Sequence, residues 1–206
     1  MQSIYHLKQN RVMENLTTQE SLKIIQTVID QRKQKYEENG FFLLFWGVLI
    51  VISGVTQYIM IRMGKGNISG YVWLFTMVPG FLITFIINFN KNRKRAINRN
   101  PVDMLGFVWL IAGILAMLTG FIFGPKFGIG STTVIFLPFC MAAMASALSL
   151  KNYLWICLAI VGTFVAYGSI FVEWHYHSLI AATIALLLFV IPGIQLYVAH
   201  KRRDHV

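Results

Sequence analysis

The chain has 206 residues, 56% of them apolar and only 13% charged, with 18 Lys plus Arg against 8 Asp plus Glu. Ordinary soluble domains carry about 25% charged residues, and a mean hydropathy of +0.62 points away from them in the same direction. A disordered chain, a fibrous chain and a soluble enzyme are therefore excluded as readings, and eleven of the 26 charges crowd into the first 40 residues.

Residues 1–12 show no amphipathic pattern, and Met13-Glu14-Asn15-Leu16-Thr17-Thr18 reads as a natural start. Residues 17–39 are expected to form one helix. Thr17 with Glu20 three residues on fits a capping box, in which each side chain satisfies a backbone N–H of the first turn. Leu22, Ile25, Val28, Ile29 and Tyr36 fall on one face at helical spacing, with Gln26, Asp30, Lys33 and Glu37 on the other. Gly40 is the expected stop. Arg32, Lys33 and Lys35 stand in the last turns, nearest the bilayer. Such a helix can lie on the membrane surface, pack on the ends of the spans, or bind a partner through its apolar stripe. Glu14, Glu20, Asp30, Glu37 and Glu38 nearly cancel its bases, which weakens pure lipid binding and keeps a protein partner in play.

A helix needs roughly 20 apolar residues to cross about 30 Å of hydrocarbon. Six charge-free runs meet that requirement: Phe41–Ile61, Tyr71–Asn90, Met104–Pro125, Phe127–Leu150, Asn152–Val172 and Ser178–His200. The fold class is thus all-α integral membrane, with six transmembrane helices preceded by a cytoplasmic amphipathic helix. The chain divides into a cytoplasmic segment (1–40), a transmembrane domain (41–200) and a short tail (201–206). The fourth and fifth runs meet at Lys151-Asn152, and a tight turn is expected there. The first 40 residues lack the apolar core of a cleavable signal peptide, so the first span is expected to direct insertion.

Lys and Arg accumulate on the cytoplasmic side of a membrane. With the N-terminus inside, the inner segments hold 15 of them and the outer loops hold three, Arg62, Lys65 and Lys126. Both termini are expected in the cytoplasm. The net charge of +10 then reads as a topology signal and as attraction to anionic headgroups, with no nucleic-acid partner implied. Lys91, Arg93, Lys94, Arg95 and Arg99 form the densest cluster. The expected contact set for lipid or a protein partner is Leu22, Ile25, Ile29, Arg32, Lys33, Lys91, Arg93, Lys94 and Arg95.

Small residues let transmembrane helices approach closely. Gly47 and Gly54 in the first span lie seven apart, as do Gly106, Gly113 and Gly120 in the third. Gly162 and Ala166 form a pair in the fifth, and the fourth carries Ala142, Ala143, Ala145, Ser146 and Ala147. Each set is expected to be a packing seam. The odd spans each carry a Trp (Trp46, Trp109, Trp155) and the even spans each a Pro (Pro79, Pro138, Pro192). Val78-Pro79-Gly80-Phe81 also resembles Ile191-Pro192-Gly193-Ile194. Three tandem helical hairpins of one origin are one reading of this pattern, and three Pro-bent helices around a central cavity another.

Ionisable groups at membrane depth are costly and usually functional, and this chain has none in the middle of any span. No HExxH and no phosphate-cradling Gly loop occurs. Ser53 and Ser146 have no His at matching depth for proteolysis. Cys140 and Cys157 read as small buried apolar residues. Thr56, Gln57, Thr84, Asn88, Asn90, Thr119, Thr163 and Gln195 can line a pore or tie helices together. One constellation remains, Glu173-Trp174-His175-Tyr176-His177 between the fifth and sixth spans. In an extended loop alternate residues share a side, placing Glu173, His175 and His177 together. An aromatic belt with polar partners is the plain reading. A divalent metal contact through Glu173, His175 and His177 is the sharper one, and a pH-sensing His pair the third. No catalytic residue and no cofactor is expected.

Met13-Glu-Asn-Leu-Thr-Thr-Gln-Glu-Ser-Leu-Lys-Ile-Ile-Gln, followed by Phe41-Phe-Leu-Leu-Phe-Trp-Gly, resembles the opening of a group of uncharacterised small bacterial six-span membrane proteins. That motif, Leu-Thr-x-Gln-Glu-Ser-Leu-x-Ile-Ile with a Trp-Gly in the first span, covers residues 13–47. The resemblance implies a bacterial plasma membrane and a start near Met13, and it carries no activity with it. The expected function is a non-enzymatic regulatory, sensory or complex-forming subunit acting through the cytoplasmic helix. The alternative is the membrane subunit of a small-solute transporter or ABC-type exporter, with a coupling surface made from residues 17–39 and 91–103.

Overall fold

A computed structural model describes residues 20–23, 40–95 and 104–203. Residues 20–23 are helical, with Leu22 exposed, and the rest of the expected 17–39 helix lies outside the described residues. We number the long helices in chain order. The first, α1, is Gly40–Arg62, and α2 is Tyr71–Arg95. In α3, Met104–Met117 continues as a π-helical segment, Leu118–Phe123. Next come α4, Ser131–Ser149, and α5, Tyr153–Gly168. In α6, His177–Ala185 leads into a second π-helical segment, Leu186–Val190, and then Ile191–Arg203. All six are long and apolar enough to span a membrane, and no strand occurs among the described residues.

Helices α1, α2 and α6 extend past the expected spans, because apolarity ends before helical backbone does, whereas α3, α4 and α5 stop inside theirs where the chain turns into short helical and 3₁₀ segments or loops. The helix of α2 runs unbroken from Tyr71 through Lys91 to Arg95, and that of α6 continues through Lys201 to Arg203. Their basic residues are thus carried on helical extensions of the spans.

The most central element is α6. Half of its span is buried, against 6% for each of α2 and α3. It packs most extensively along α1 and also meets α5 and α4, while α2 leans on α1, and α3 on α4. In lipid the outward apolar faces of α2 and α3 cost nothing, since hydrocarbon surrounds them, and helix association rests on close packing and hydrogen bonds.

The α1–α6 contact follows directly from the sequence. Gly40, Gly47 and Gly54 recur every seven residues, the repeat that keeps one narrow face against a partner helix. A β-carbon on Gly40 would stand 2.8 Å from Leu196 Cβ, and one on Gly47 would stand 2.7 Å from Val190 Cγ2. A β-carbon on Gly54 would collide with the Ser178 carbonyl. From the other side, one on Gly193 would meet the Leu44 backbone nitrogen at 2.8 Å. Both Pro-Gly pairs have this purpose. Gly193 admits the α1 backbone, and Gly80 admits Leu49 and the Trp46 ring. The similarity of residues 78–81 and 191–194 therefore reflects two helices closing on opposite flanks of α1.

The three hairpins are not equivalent in packing. Trp109 joins a cluster with Phe139 and Phe189, with ring centroids 5.2 Å apart for Trp109–Phe189 and 5.4 Å for Phe139–Phe189. Trp155 is fully buried, and Trp46 lies against Gly80. Nor are all the expected seams used. A β-carbon on Gly113 would meet nothing within 4 Å, and one on Gly120 only Ile135 at 3.6 Å, so Gly113 and Gly120 do not form a close internal seam. Gly162 does, facing Leu188 at 2.9 Å, and Ala142, Ala143, Ser146 and Ala147 of α4 are fully buried. Pro192 is also fully buried, so its bend lies in a packed interior.

Lys151 has φ +52°. Its N–H donates to the Leu148 carbonyl, and that of Asn152 to Ala147 at 3.0 Å. This pair of bonds closes a Schellman motif at the end of α4, with Lys151 in the position that favours glycine. Asn152 then caps α5 by accepting from the Trp155 N–H at 3.2 Å. The turn predicted at Lys151-Asn152 is thus a C-cap and an N-cap on successive residues.

Candidate functional site

Many polar side chains inside the spans pair with one another or with the backbone, while Trp155 Nε1 and Ser178 Oγ are buried without a partner. The Ser53 hydroxyl, fully buried, lies 2.7 Å from Thr76 Oγ1 and 2.6 Å from the Leu49 carbonyl, linking α1 to α2. One turn further, the Trp73 indole N–H donates to Gln57 Oε1 at 2.6 Å. The Trp109 indole N–H donates to Ser146 Oγ at 3.0 Å, linking α3 to α4. Near the turn after α4, Asn152 donates to Gln195 Oε1 at 3.1 Å, linking α5 to α6. Thr84 and Thr163 bond back to Gly80 and Ala159 in their own helices. Of the polar residues expected to line a pore or tie helices, Gln57 and Gln195 tie helices.

The densest polar group lies where α4 begins and α5 ends. Thr133 Oγ1 donates to the Ala166 carbonyl at 2.7 Å and lies 3.1 Å from Ser169 Oγ. Beside it His177, 9% exposed, places Nδ1 2.9 Å from Thr132 Oγ1 and Nε2 3.0 Å from the Val172 carbonyl. A carbonyl only accepts, so Nε2 carries the proton and the Thr132 hydroxyl donates to Nδ1. This latch holds the first turn of α6 to α4 and to the end of α5.

The latch corrects the extended-loop expectation for residues 173–177. Trp174–Tyr176 form a 3₁₀ turn that runs straight into α6, which turns His177 inward and His175 outward. His175 Nε2 pairs with Glu173 at 3.2 Å, and its ring lies 4.2 Å from that of Tyr176, which stacks on Tyr58 at 6.0 Å. Glu173, His175 and His177 therefore do not converge on one point, and both ring nitrogens of His177 are engaged. Among the described residues no group of three His, Cys, Asp or Glu could hold a metal ion. The inward His is invisible to alternation. The apolar register of Ser178–Leu188, extended backward by one residue, is the signal that finds it.

Of the expected contact set, Leu22 is exposed, and Ile25, Ile29, Arg32 and Lys33 lie outside the described residues. Lys91, Arg93, Lys94 and Arg95 form the last turns of α2, at the end of the molecule that also holds Lys151 and Lys201. No known protein family, curated protein or solved structure matches this chain.

Proposed function

We propose that the chain is a non-enzymatic membrane subunit, regulatory, sensory or complex-forming, that acts through the helix of residues 17–39 at the cytoplasmic face of a bacterial plasma membrane. The observation that carries this reading is the use of the interior polar groups. Ser53, Thr76, Thr132, Thr133, Ser146, Ser169 and His177 are each engaged in helix-to-helix or helix-to-backbone bonds. The described Asp, Glu, Lys, Arg and His residues stand at or near helix ends, where lipid headgroups and partners are met.

Arg95 lies eight residues beyond Ile87, the end of the apolar part of α2. At 1.5 Å per residue that is about 12 Å, enough to carry Lys91–Arg95 through the headgroup layer. Basic residues there are drawn to anionic lipid, which would set the height of a partner surface formed with residues 17–39.

The test is crosslinking and pull-down through single cysteines placed in residues 17–39 of the full-length protein. One protein captured reproducibly, and lost when Ile25 and Ile29 are changed to Asp, supports the reading. Copurification of an ATPase that couples to solute movement replaces it with the transporter reading. A reporter fused after Val206 that is active only outside the membrane refutes the topology.

A further inference from the structure

The close approaches along the α1–α6 seam give its register. Gly54 meets Ala182, Gly47 meets Phe189 and Val190, Gly193 meets Leu44, and Gly40 meets Leu196 and Tyr197. Numbers rise on α1 as they fall on α6, so the two helices run antiparallel. Gly40 is the first residue of α1, but α6 does not end beside it. Its helix continues to Arg203. The seven residues from Leu196 to Arg203 add about 10 Å of helix that stand beyond the start of α1. The apolar span of α6 ends at Ala199, so most of this projection lies outside it.

The projecting turns are basic. Lys201, Arg202 and Arg203 close the helix, and Lys201 and Arg202 are exposed. At 3.6 residues per turn, His200 continues the line of Gly193 that faces α1. Lys201 and Arg203 stand roughly a quarter turn to either side of that line, and Arg202 stands opposite it. Among the described residues carboxylates occur only at Glu20 and Glu173, and Glu173 precedes the other end of α6. What must lie near these turns is the chain that enters Gly40. Going back from Gly40, the first charged residues are Glu38 and Glu37, ahead of Lys35. A residue spans at most about 3.6 Å, which keeps Glu38 within roughly 7 Å and Glu37 within roughly 11 Å of Gly40. Lys201 lies about 6 Å beyond Tyr197 along α6, and Arg203 about 10 Å beyond Leu196. Covalent continuity thus brings two carboxylates and two cations into one small volume.

We propose that the last two turns of α6 are the docking surface for the segment that enters α1, with Glu37 and Glu38 set against Lys201 and Arg203. An exposed ion pair is worth little by itself. Here the two partners are tethered by only two or three residues to a helix already packed on α6, so their effective concentration is high. The contact stands on register and charge, whichever membrane face it occupies. Its consequence rests on the reading of residues 17–39 as the working element: a partner engaged there is tied to α6, the most central helix.

The experiment is crosslinking of Tyr36→Cys to His200→Cys in the full-length protein, in phosphatidylcholine vesicles and a Cys140→Ala/Cys157→Ala background. A short bismaleimide is the probe, and the monomer is read by mass spectrometry. With the native charges an intramolecular crosslink should form. Glu37→Lys/Glu38→Lys turns two attractions into repulsions and should slow it by roughly fivefold. Adding Lys201→Glu/Arg203→Glu should restore the rate. Arg202→Glu, on the opposite side of α6, should change it by less than about twofold. A rate indifferent to Glu37→Lys/Glu38→Lys leaves Lys201 and Arg203 to lipid headgroups and overturns the proposal. So does a slowed rate that Lys201→Glu/Arg203→Glu fails to restore, or an equal loss from Arg202→Glu, which would mean that only the summed charge of the helix end matters. No partner is present in this assay, so its failure leaves the pull-down through residues 17–39 standing, and failure of the pull-down leaves the crosslink standing.

Discussion

Gly47 and Phe189 face each other with so little room that a β-carbon on Gly47 would lie 2.8 Å from Phe189 Cβ. The same hypothetical atom would stand 3.0 Å from the Val190 backbone nitrogen, and a backbone cannot step aside by rotating. Gly47→Val should therefore push α1 off α6 and destabilise the protein by about 1–3 kcal/mol, the range for overpacking. Gly113→Ala is the control: nothing lies within 4 Å of its new methyl group, and the loss of backbone freedom in the unfolded chain makes it neutral or slightly stabilising. Thermal unfolding in detergent compares them. Equal melting temperatures for Gly47→Val and the unaltered protein would show that the seam is not a tight contact.

That comparison also marks how far the sequence could be read. Six spans follow from the thickness of hydrocarbon alone; α1, α2 and α6 outrun their apolar residues, and α3, α4 and α5 stop short of theirs. Seven-residue glycine spacing correctly marks Gly47 and Gly54 as a seam, and equally marks Gly106, Gly113 and Gly120. The spacing states that a helix can approach and not that one does, since occupancy depends on which helices the remaining chain brings alongside. The π-helical segments in α3 and α6 have no sequence signature in composition or periodicity. His177 was hidden for a related reason: a stretch of alternating aromatic and polar residues fits a strand and a 3₁₀ turn equally, and only the register of α6 decides. Why Trp155 Nε1 and Ser178 Oγ are buried without hydrogen-bond partners has no account in the surrounding packing.

At the turn between α4 and α5, Lys151 occupies a left-handed conformation, with φ +52°. A side chain there is strained by its own β-carbon, which glycine lacks. Lys151→Gly keeps both Schellman bonds and removes the strain, so it should stabilise the protein by about 0.5–1 kcal/mol after the greater entropy of glycine in the unfolded chain is counted. The readout is again thermal unfolding, where a rise of a few degrees is expected. Lys151→Val should move the melting temperature the other way, because β-branching worsens the same clash. A Lys151→Gly protein that melts lower than its parent would contradict this assignment of strain.

Zinc provides a direct check on the loop between α5 and α6. Exposed Glu173 pairs with half-buried His175, while both nitrogens of His177 are occupied inside. Two ligands on a solvated surface do not make the closed four-coordinate shell of a stable zinc site. Adding zinc in excess should leave the melting temperature of the full-length protein unchanged. A clear rise that is abolished both by His175→Ala and by His177→Ala would mean that the three residues converge on the metal after all.

The His177 latch makes the sharpest energetic prediction, because it satisfies two groups at once. His177→Ala removes the acceptor for the Thr132 hydroxyl and the donor for the Val172 carbonyl, and it opens a gap at the start of α6. Leaving buried polar groups unpaired costs about 1–3 kcal/mol, so a total loss of about 2–4 kcal/mol is expected once the gap is included. Thr132→Val keeps the shape and deletes only the hydroxyl, and should cost about 1 kcal/mol. Once His177 is gone, the Thr132 hydroxyl is itself an unpaired burden, so adding Thr132→Val to His177→Ala should cost little or restore some stability. The non-additive part should reach about 0.5–2 kcal/mol, the size found for residues in direct contact. Chemical or thermal unfolding of the four proteins in the same detergent measures it. Strict additivity would mean that Thr132 and His177 act separately, and that the first turn of α6 is held by packing alone.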